Sequence, residues 1–255
     1  MRSICLVLAF LICPTFCVTA DTLIKVRADD WMPMNGEPSS EYPGFLVEML
    51  EAVFEPEGLT VDYQLLPWER AIQETRLGKF DCVVGAYKSD VPDFIFPELP
   101  WGMDHALLFV QAGDDWKYSG QLSQLKERKL GVVTGYSYGN EFDQFSEDNK
   151  GKQIFFVSGQ EPLKMNIKKL KAGRLDTILD GEAAVRWKLK QMGVMDYLEV
   201  AGELLPPEPL YLACSPAKFS SKRIVDLADK GMLRLRTSGQ LKRILDRYGV
   251  SIWNE

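Results

Sequence analysis

Gly78-Lys79-Phe80-Asp81-Cys82-Val83-Val84 is echoed by Gly173-Arg174-Leu175-Asp176-Thr177-Ile178-Leu179. Each string puts glycine where a helical pattern stops, a basic residue near that helix's negative end, and then an aspartate and an apolar run of strand type. The helix before the first string is read over Trp68 to Leu77. The helix before the second is opened by Pro162, with Leu163, Ile167 and Leu170 on one face. Lys164, Lys168, Lys169 and Lys171 cover its other faces and read as a solvated surface. Two such strings at matching places predict two lobes of related build.

Working outward, short strand-type runs alternate with helical patterns, the grammar of an α/β protein with largely parallel sheets. Leu23 to Ala28, Thr60 to Leu66 and Asp81 to Gly85 read as strands, and Gly44 to Phe54 as a helix with Phe45, Leu46, Met49, Leu50, Val53 and Phe54 on one face. The pattern restarts with strands at Leu130 to Thr134 and Gln153 to Val157, separated by a helix from about Tyr138. His105 to Val110 and Leu210 to Cys214 read as strands entering and leaving an inserted second lobe, and Ser220 to Tyr248 as closing helices. The expected division is 1–20 as a leader, 21–110 plus 212–255 as the first lobe, and 111–211 as the second. A cleft between the lobes would face the strand C-termini, where open α/β sheets bind ligands.

The chain has 255 residues, 36 acidic and 30 basic side chains, one histidine and a net charge of −6. That balance argues against nucleic-acid binding, which needs a basic surface. Arg2, the nine-residue apolar run Ile4 to Ile12 and the small residues ending at Ala20 read as a secretory signal peptide cleaved before Asp21. The run is short of the roughly 20 residues needed to cross a bilayer. Ile12 and Phe16 stand where a lipoprotein would carry a small residue before Cys13 or Cys17. An exported protein is expected. Cys82 and Cys214 would then meet an oxidising compartment, although their apolar flanks favour two buried thiols over a bridge.

Catalytic patterns are sparse. Any Ser/His/Asp or Cys/His scheme would have to use His105, which reads better as a structural residue of the hinge strand. Clustered Cys and His are missing, so no metal site and no cofactor are expected. Gly131 to Gly139 does not have the spacing of a nucleotide loop. Asp29-Asp30 and Asp114-Asp115 are adjacent pairs that would point apart on a strand. The ends of elements are instead aromatic: Trp31, Trp68, Tyr87, Tyr136 and Tyr138 all fall where the cleft should lie and could clamp a small ligand or a cation, some of them serving only as plugs. Ser137 reads either as part of an anion cradle or as a simple helix cap.

The order Trp31-Met32-Pro33, Gly44-Phe45, Pro67-Trp68-Glu69-Arg70-Ala71, Gly78 to Asp81, Phe96 to Trp101, Gly131 to Gly135 and Gly173 to Asp176 resembles the bacterial extracellular solute-binding proteins of family 3, over nearly all of the chain beyond the leader. The resemblance implies a two-lobe, type II periplasmic-binding fold, each lobe a mostly parallel sheet flanked by helices. It also implies Trp31 and Trp68 as walls of the site, contacts from Gly85, Ala86 and Lys88, and a grip on a ligand carboxylate at Ser137. Two positions depart from the family pattern. Asp93 stands where amino-acid binders carry a carboxylate-binding arginine, and Gly181 where they carry an ammonium-binding aspartate. Lys88 or Arg70 could supply the positive charge, and Asp180 or Glu182 the negative one.

The resulting expectation is a non-catalytic periplasmic receptor, monomeric, with a small polar ligand and an ABC permease as partners. The ligand would be an amino acid, amine or organic acid. The alternatives are an enzyme resembling cyclohexadienyl dehydratases, with Glu98, Asp180 or Glu182 as the acid, and a receptor that signals to a membrane protein.

Overall fold

The computed structural model describes residues 23–159 and 161–253; the expected leader lies outside them. Among these residues ten strands form two five-stranded sheets. The first contains β1 (Leu23–Ala28), β2 (Thr60–Leu65), β3 (Cys82–Ala86), β4 (Gly102–Asp104) and β10 (Glu208–Cys214), in the order β2-β1-β3-β10-β4. The second contains β5 (Ala106–Gln111), β6 (Leu130–Val133), β7 (Ile154–Val157), β8 (Thr177–Gly181) and β9 (Leu198–Glu203), in the order β7-β6-β8-β5-β9. Strand for strand, the two orders are the same.

Each sheet is mixed. In the first, β1 runs parallel to β2 and β3 while β10 is antiparallel to β3 and β4. In the second, β6 runs parallel to β7 and β8 while β5 is antiparallel to β8 and β9. The expected lobe boundaries shift accordingly. β5, expected in the first lobe, pairs wholly within the second sheet, and β10 before Leu212, expected in the second lobe, pairs in the first. The chain therefore changes lobe at His105 and again over 204–207. An apolar strand is equally well buried in either sheet, so only backbone pairing settles which one it joins.

Among the described residues seven α-helices cover the sheets: α1 (Phe45–Phe54), α2 (Trp68–Arg76), α3 (Asn140–Asp148), α4 (Pro162–Lys171), α5 (Glu182–Met192), α6 (Ser221–Thr237) and α7 (Gln240–Tyr248). The apolar face of α1 is buried as its spacing predicts. The helix α6 crosses close to it, because a side chain at Gly231 would run into Val53.

The repeated strings have one structural role. Gly78 and Gly173 take φ values of 78° and 65°, the left-handed conformation that ends α2 and α4. The next residues close the same terminal bond, Lys79 N–H to the Glu74 carbonyl at 3.0 Å and Arg174 N–H to Lys169 at 2.9 Å. Each aspartate then clamps the strand beside it: Asp81 donates its N–H to the Lys25 carbonyl and accepts the Lys25 N–H at 2.8 Å, and Asp176 does the same with Lys129. The aspartates thus set the start of β1 and β6 against β3 and β8.

The expectation of two thiols fails. Cys82 and Cys214 are paired residues on β3 and β10, with Cα atoms 3.9 Å apart, and they form a disulfide. Apolar flanks are common to buried thiols and buried bridges; cross-strand register makes the difference.

Candidate functional site

A cavity lies between the lobes, beyond the C-terminal ends of the parallel strands β1, β3, β6 and β8. All five aromatics singled out above line it: Trp31, Trp68 and Tyr87 from the first lobe, Tyr136 and Tyr138 from the second. Trp31 presents edges to Tyr87 and Tyr136, with ring centroids 6.4 and 6.2 Å away. Tyr138 also plugs its lobe, being buried against Phe142 and accepting the Val133 N–H at its hydroxyl, 3.1 Å away.

Five carboxylates share this lining: Asp29 just after β1, Asp90 after β3, Asp104 at the end of β4, Asp180 in β8 and Glu208 at the start of β10. Asp180 is 2% exposed and Asp104 5%. Tyr136 donates to Asp29 at 2.7 Å and Tyr87 donates to Asp104 Oδ2 at 2.7 Å. The Gly181 N–H donates to Asp180 Oδ1 at 2.8 Å. Burial raises these carboxyls: Asp29 to about 6, with Tyr136 partly offsetting the shift, and Asp90 and Asp180 to about 7. Asp104 is raised too, again chiefly by burial. Among the described residues no lysine, arginine or histidine lines the cavity.

Gly85, Ser137 and Asp180, expected at the site, are in this lining. Arg70, Ala86, Lys88 and Glu182 are not. Arg70 is exposed and pairs with Glu74 at 2.9 Å. Lys88 sits over the ring of Tyr211, 4.3 Å from its centroid. Ala86 is buried in β3 opposite Tyr211. Glu182 is turned to Arg186 at 2.6 Å. Neither candidate cation therefore reaches the cavity. Each is held by a partner outside the lining, Arg70 by Glu74 and Lys88 by the ring of Tyr211.

The departures also have local explanations. Asp93 is not in the cavity lining and makes a two-pronged surface pair with Arg76, at 2.7 and 3.0 Å. Gly181 lines the cavity, and a side chain there would collide with Asp104 Oδ1. The carboxylate of Asp104 thus occupies the space that a residue at 181 would need.

Ser137 does not offer an open anion cradle. Its hydroxyl donates to Asp143 Oδ2 at 2.7 Å, and the Tyr138 N–H donates to Asp143 Oδ1 at 2.9 Å. Asp143 lies in the first turn of α3, so this chain's own carboxylate fills the place. His105 stands at the lobe crossing, with Nε2 2.5 Å from Glu203.

Residue reading missed Asp90, Asp104 and Glu208 and set Asp29 aside. For Asp29 a signal existed, since it directly follows the C-terminal end of a parallel strand. Asp104 and Glu208 face each other only through the β4–β10 pairing.

Residues 24–251 match the family described as bacterial extracellular solute-binding proteins, family 3. No curated protein matches the chain. Among solved structures, one concerned with glutathione import via GshT and the cystine ABC importer TcyBC of Streptococcus mutans is 18% identical, with 92% of this chain and 98% of that one covered and a TM-score of 0.76. A substrate-binding protein of an ABC uptake transporter from Streptococcus pneumoniae, with bound histidine, is 18% identical over 89% of this chain and 92% of that one, at a TM-score of 0.72. A histidine kinase sensor domain similar to periplasmic binding proteins is also 18% identical, over 88% and 95%, at 0.71. These likenesses establish the type II periplasmic-binding fold, and the match over most of the sequence establishes more: the chain belongs to the bacterial extracellular solute-binding proteins, family 3.

Proposed function

We propose that the protein is an exported, non-catalytic receptor that closes over a small polar ligand and presents the closed form to an ABC-type importer. The observation that carries this reading is a cavity walled by both lobes, between which the chain crosses at residue 105 and over residues 204–207. Tyr136 of the second lobe donating to Asp29 of the first supports closure as the event that completes the site. Ligand affinity then reports contacts to both lobes at once. Small-angle scattering with and without ligand tests it: closure contracts the particle, and a saturating ligand that leaves the scattering unchanged removes the reading. Trp68→Ala should weaken binding about tenfold with the fold intact.

The likeness to a histidine kinase sensor domain favours a second reading, in which the closed form signals to a membrane protein. Capture of a permease or of a sensor by the ligand-loaded protein separates the two. For the dehydratase alternative, Glu98 lies against α6, where its N–H meets Asp229, and Glu182 pairs with Arg186. Only Asp180 of the three candidate acids lines the cavity. Prephenate and arogenate should both be returned unchanged; turnover of either would establish the enzyme.

A further inference from the structure

Among the described residues no cationic side chain lines the cavity beside its carboxylates, and two lysines, Lys164 and Lys188, line an adjoining pocket that shares Asp180 with it. Asp104 and Glu208 are directly opposed on β4 and β10, an arrangement of like charges that destabilises a strand pair left to itself. Asp104 Oδ1 is buried without a hydrogen-bond partner at the cavity wall, as is Asp90 Oδ1. A buried acceptor with nothing to accept is costly, and a buried charge more so. Neither device for holding a ligand carboxylate is available in the cavity: Asp93, standing in the arginine's place, is bound to Arg76 on the surface, and Ser137 and the Tyr138 N–H, though in the lining, are bound to Asp143.

The outer cleft continues the same charge. It shares Asp29, Trp68 and Tyr136 with the inner cavity and adds Asp30, Glu37 and Glu69. Glu161 also faces it but is matched by Lys164 and Lys188, at 2.7 and 3.4 Å. A positive group in the inner cavity would meet open carboxylate oxygens and ring faces, and a second one towards the mouth would meet further acids.

We propose that the ligand is a carboxylate-free organic amine with two cationic groups, one held at Asp104 and Asp180 among the aromatic rings and the other towards the acidic mouth. This rests on the receptor reading and narrows it. An amino acid would bring its own carboxylate into a site whose lining carries five acidic side chains and no basic one. An organic acid would do so without any compensating charge.

Calorimetry on matched pairs tests the proposal, because each pair differs by one carboxylate: 1,5-diaminopentane against lysine, 1,4-diaminobutane against ornithine, and agmatine against arginine. The amine should bind about 100-fold more tightly than its amino acid. Pentylamine, with one charge, should fall about tenfold below 1,5-diaminopentane; equal affinity overturns the second cationic group. Asp104→Asn and Asp180→Asn should each weaken the diamine about tenfold or more while raising the melting temperature of the ligand-free protein. A merely structural role would lower that temperature and leave affinity alone. Amino acids that bind as tightly as their amines overturn the proposal and leave the receptor reading standing. If amines, amino acids and dicarboxylates all fail to bind the folded protein, both readings fall together.

Discussion

The two lobes fasten the same pair of strands by different bonds. In the first, Cys82 at the head of β3 is joined by a disulfide to Cys214 in β10, its antiparallel neighbour. In the second, the corresponding residue of the repeated string is Thr177 at the head of β8, and its hydroxyl donates to the Phe109 carbonyl in β5, again the antiparallel neighbour, at 2.8 Å. Backbone geometry is held in both cases, so the covalent bond is not what the strand order demands. What differs is the reach along the chain. The bridge in the first lobe spans a sequence separation of 132 and encloses the whole second lobe, whereas the hydrogen bond ties two strands inside that lobe. Closing so long a loop restricts the unfolded chain far more than one hydrogen bond can.

The largest effect that would test this contrast is removal of the bridge. The Cys82→Ser/Cys214→Ser double variant should lose about 2–5 kcal/mol of stability, read by urea unfolding. A loss no greater than that of a single hydrogen bond would make the two lobes equivalent after all.

The aspartates of the repeated strings come next. Asp81 is buried and bound to the Lys25 N–H and to Lys218, at 2.8 and 2.5 Å, whereas Asp176 is half-buried and clamps only the Lys129 N–H. Asp81→Ala should cost about 2–3 kcal/mol and Asp176→Ala about 1 kcal/mol on the same measurement. The reverse order would show that the second lobe leans on its string more than the first.

A pH series compares the cavity with the protein's surface. Asp29, raised to about 6, and Asp90 and Asp180, raised to about 7, keep protons in the folded chain that the unfolded chain releases near pH 4. Their contribution to stability is complete below the unfolded value and disappears as pH rises through about 6 to 7, so ligand-free stability should fall between about pH 4 and 7. Surface carboxylates such as Asp93, lowered by Arg76, act with the opposite sign, but only as pH falls below the ordinary carboxylate range. Thermal melts should show the decline, and Asp180→Asn should flatten it. A profile that rises over this window would contradict the buried charge state.

The smallest effect is Thr177→Val, expected to cost about 1 kcal/mol by leaving the Phe109 carbonyl without its donor. A cost near that of the bridge would show that the hydrogen bond does comparable structural work in its lobe.

Much of this comparison is legible before any coordinates. The strings at Gly78 and Gly173 already carry a helix stop and a strand start, because left-handed glycine and the 3.6-to-2 change of apolar period are local properties. The aromatics at element ends were legible as cavity residues because open α/β sheets bind ligands beyond their strand C-termini, where Trp31, Tyr87 and Tyr136 stand. The exclusion of Lys88 and Arg70 was not legible, since either side chain is long enough to turn into a cleft or away from it. The contact of Ser137 with Asp143 was within reach, for an acid in the first turn of a helix is where such a bond forms.

By itself, then, the sequence determined the alternation of elements, the twofold repetition, the aromatic character of the cleft and the family. Each of these depends on neighbours within a few residues or on a motif read in order. Tertiary structure alone decided which sheet takes each crossing strand, that Cys82 meets Cys214, and that Asp104 stands opposite Glu208. Those three outcomes depend on strand register between segments 69 to 132 residues apart, as for Phe109 with Ile178 and Cys82 with Cys214. A shift of one residue would turn each side chain to the other face of its sheet.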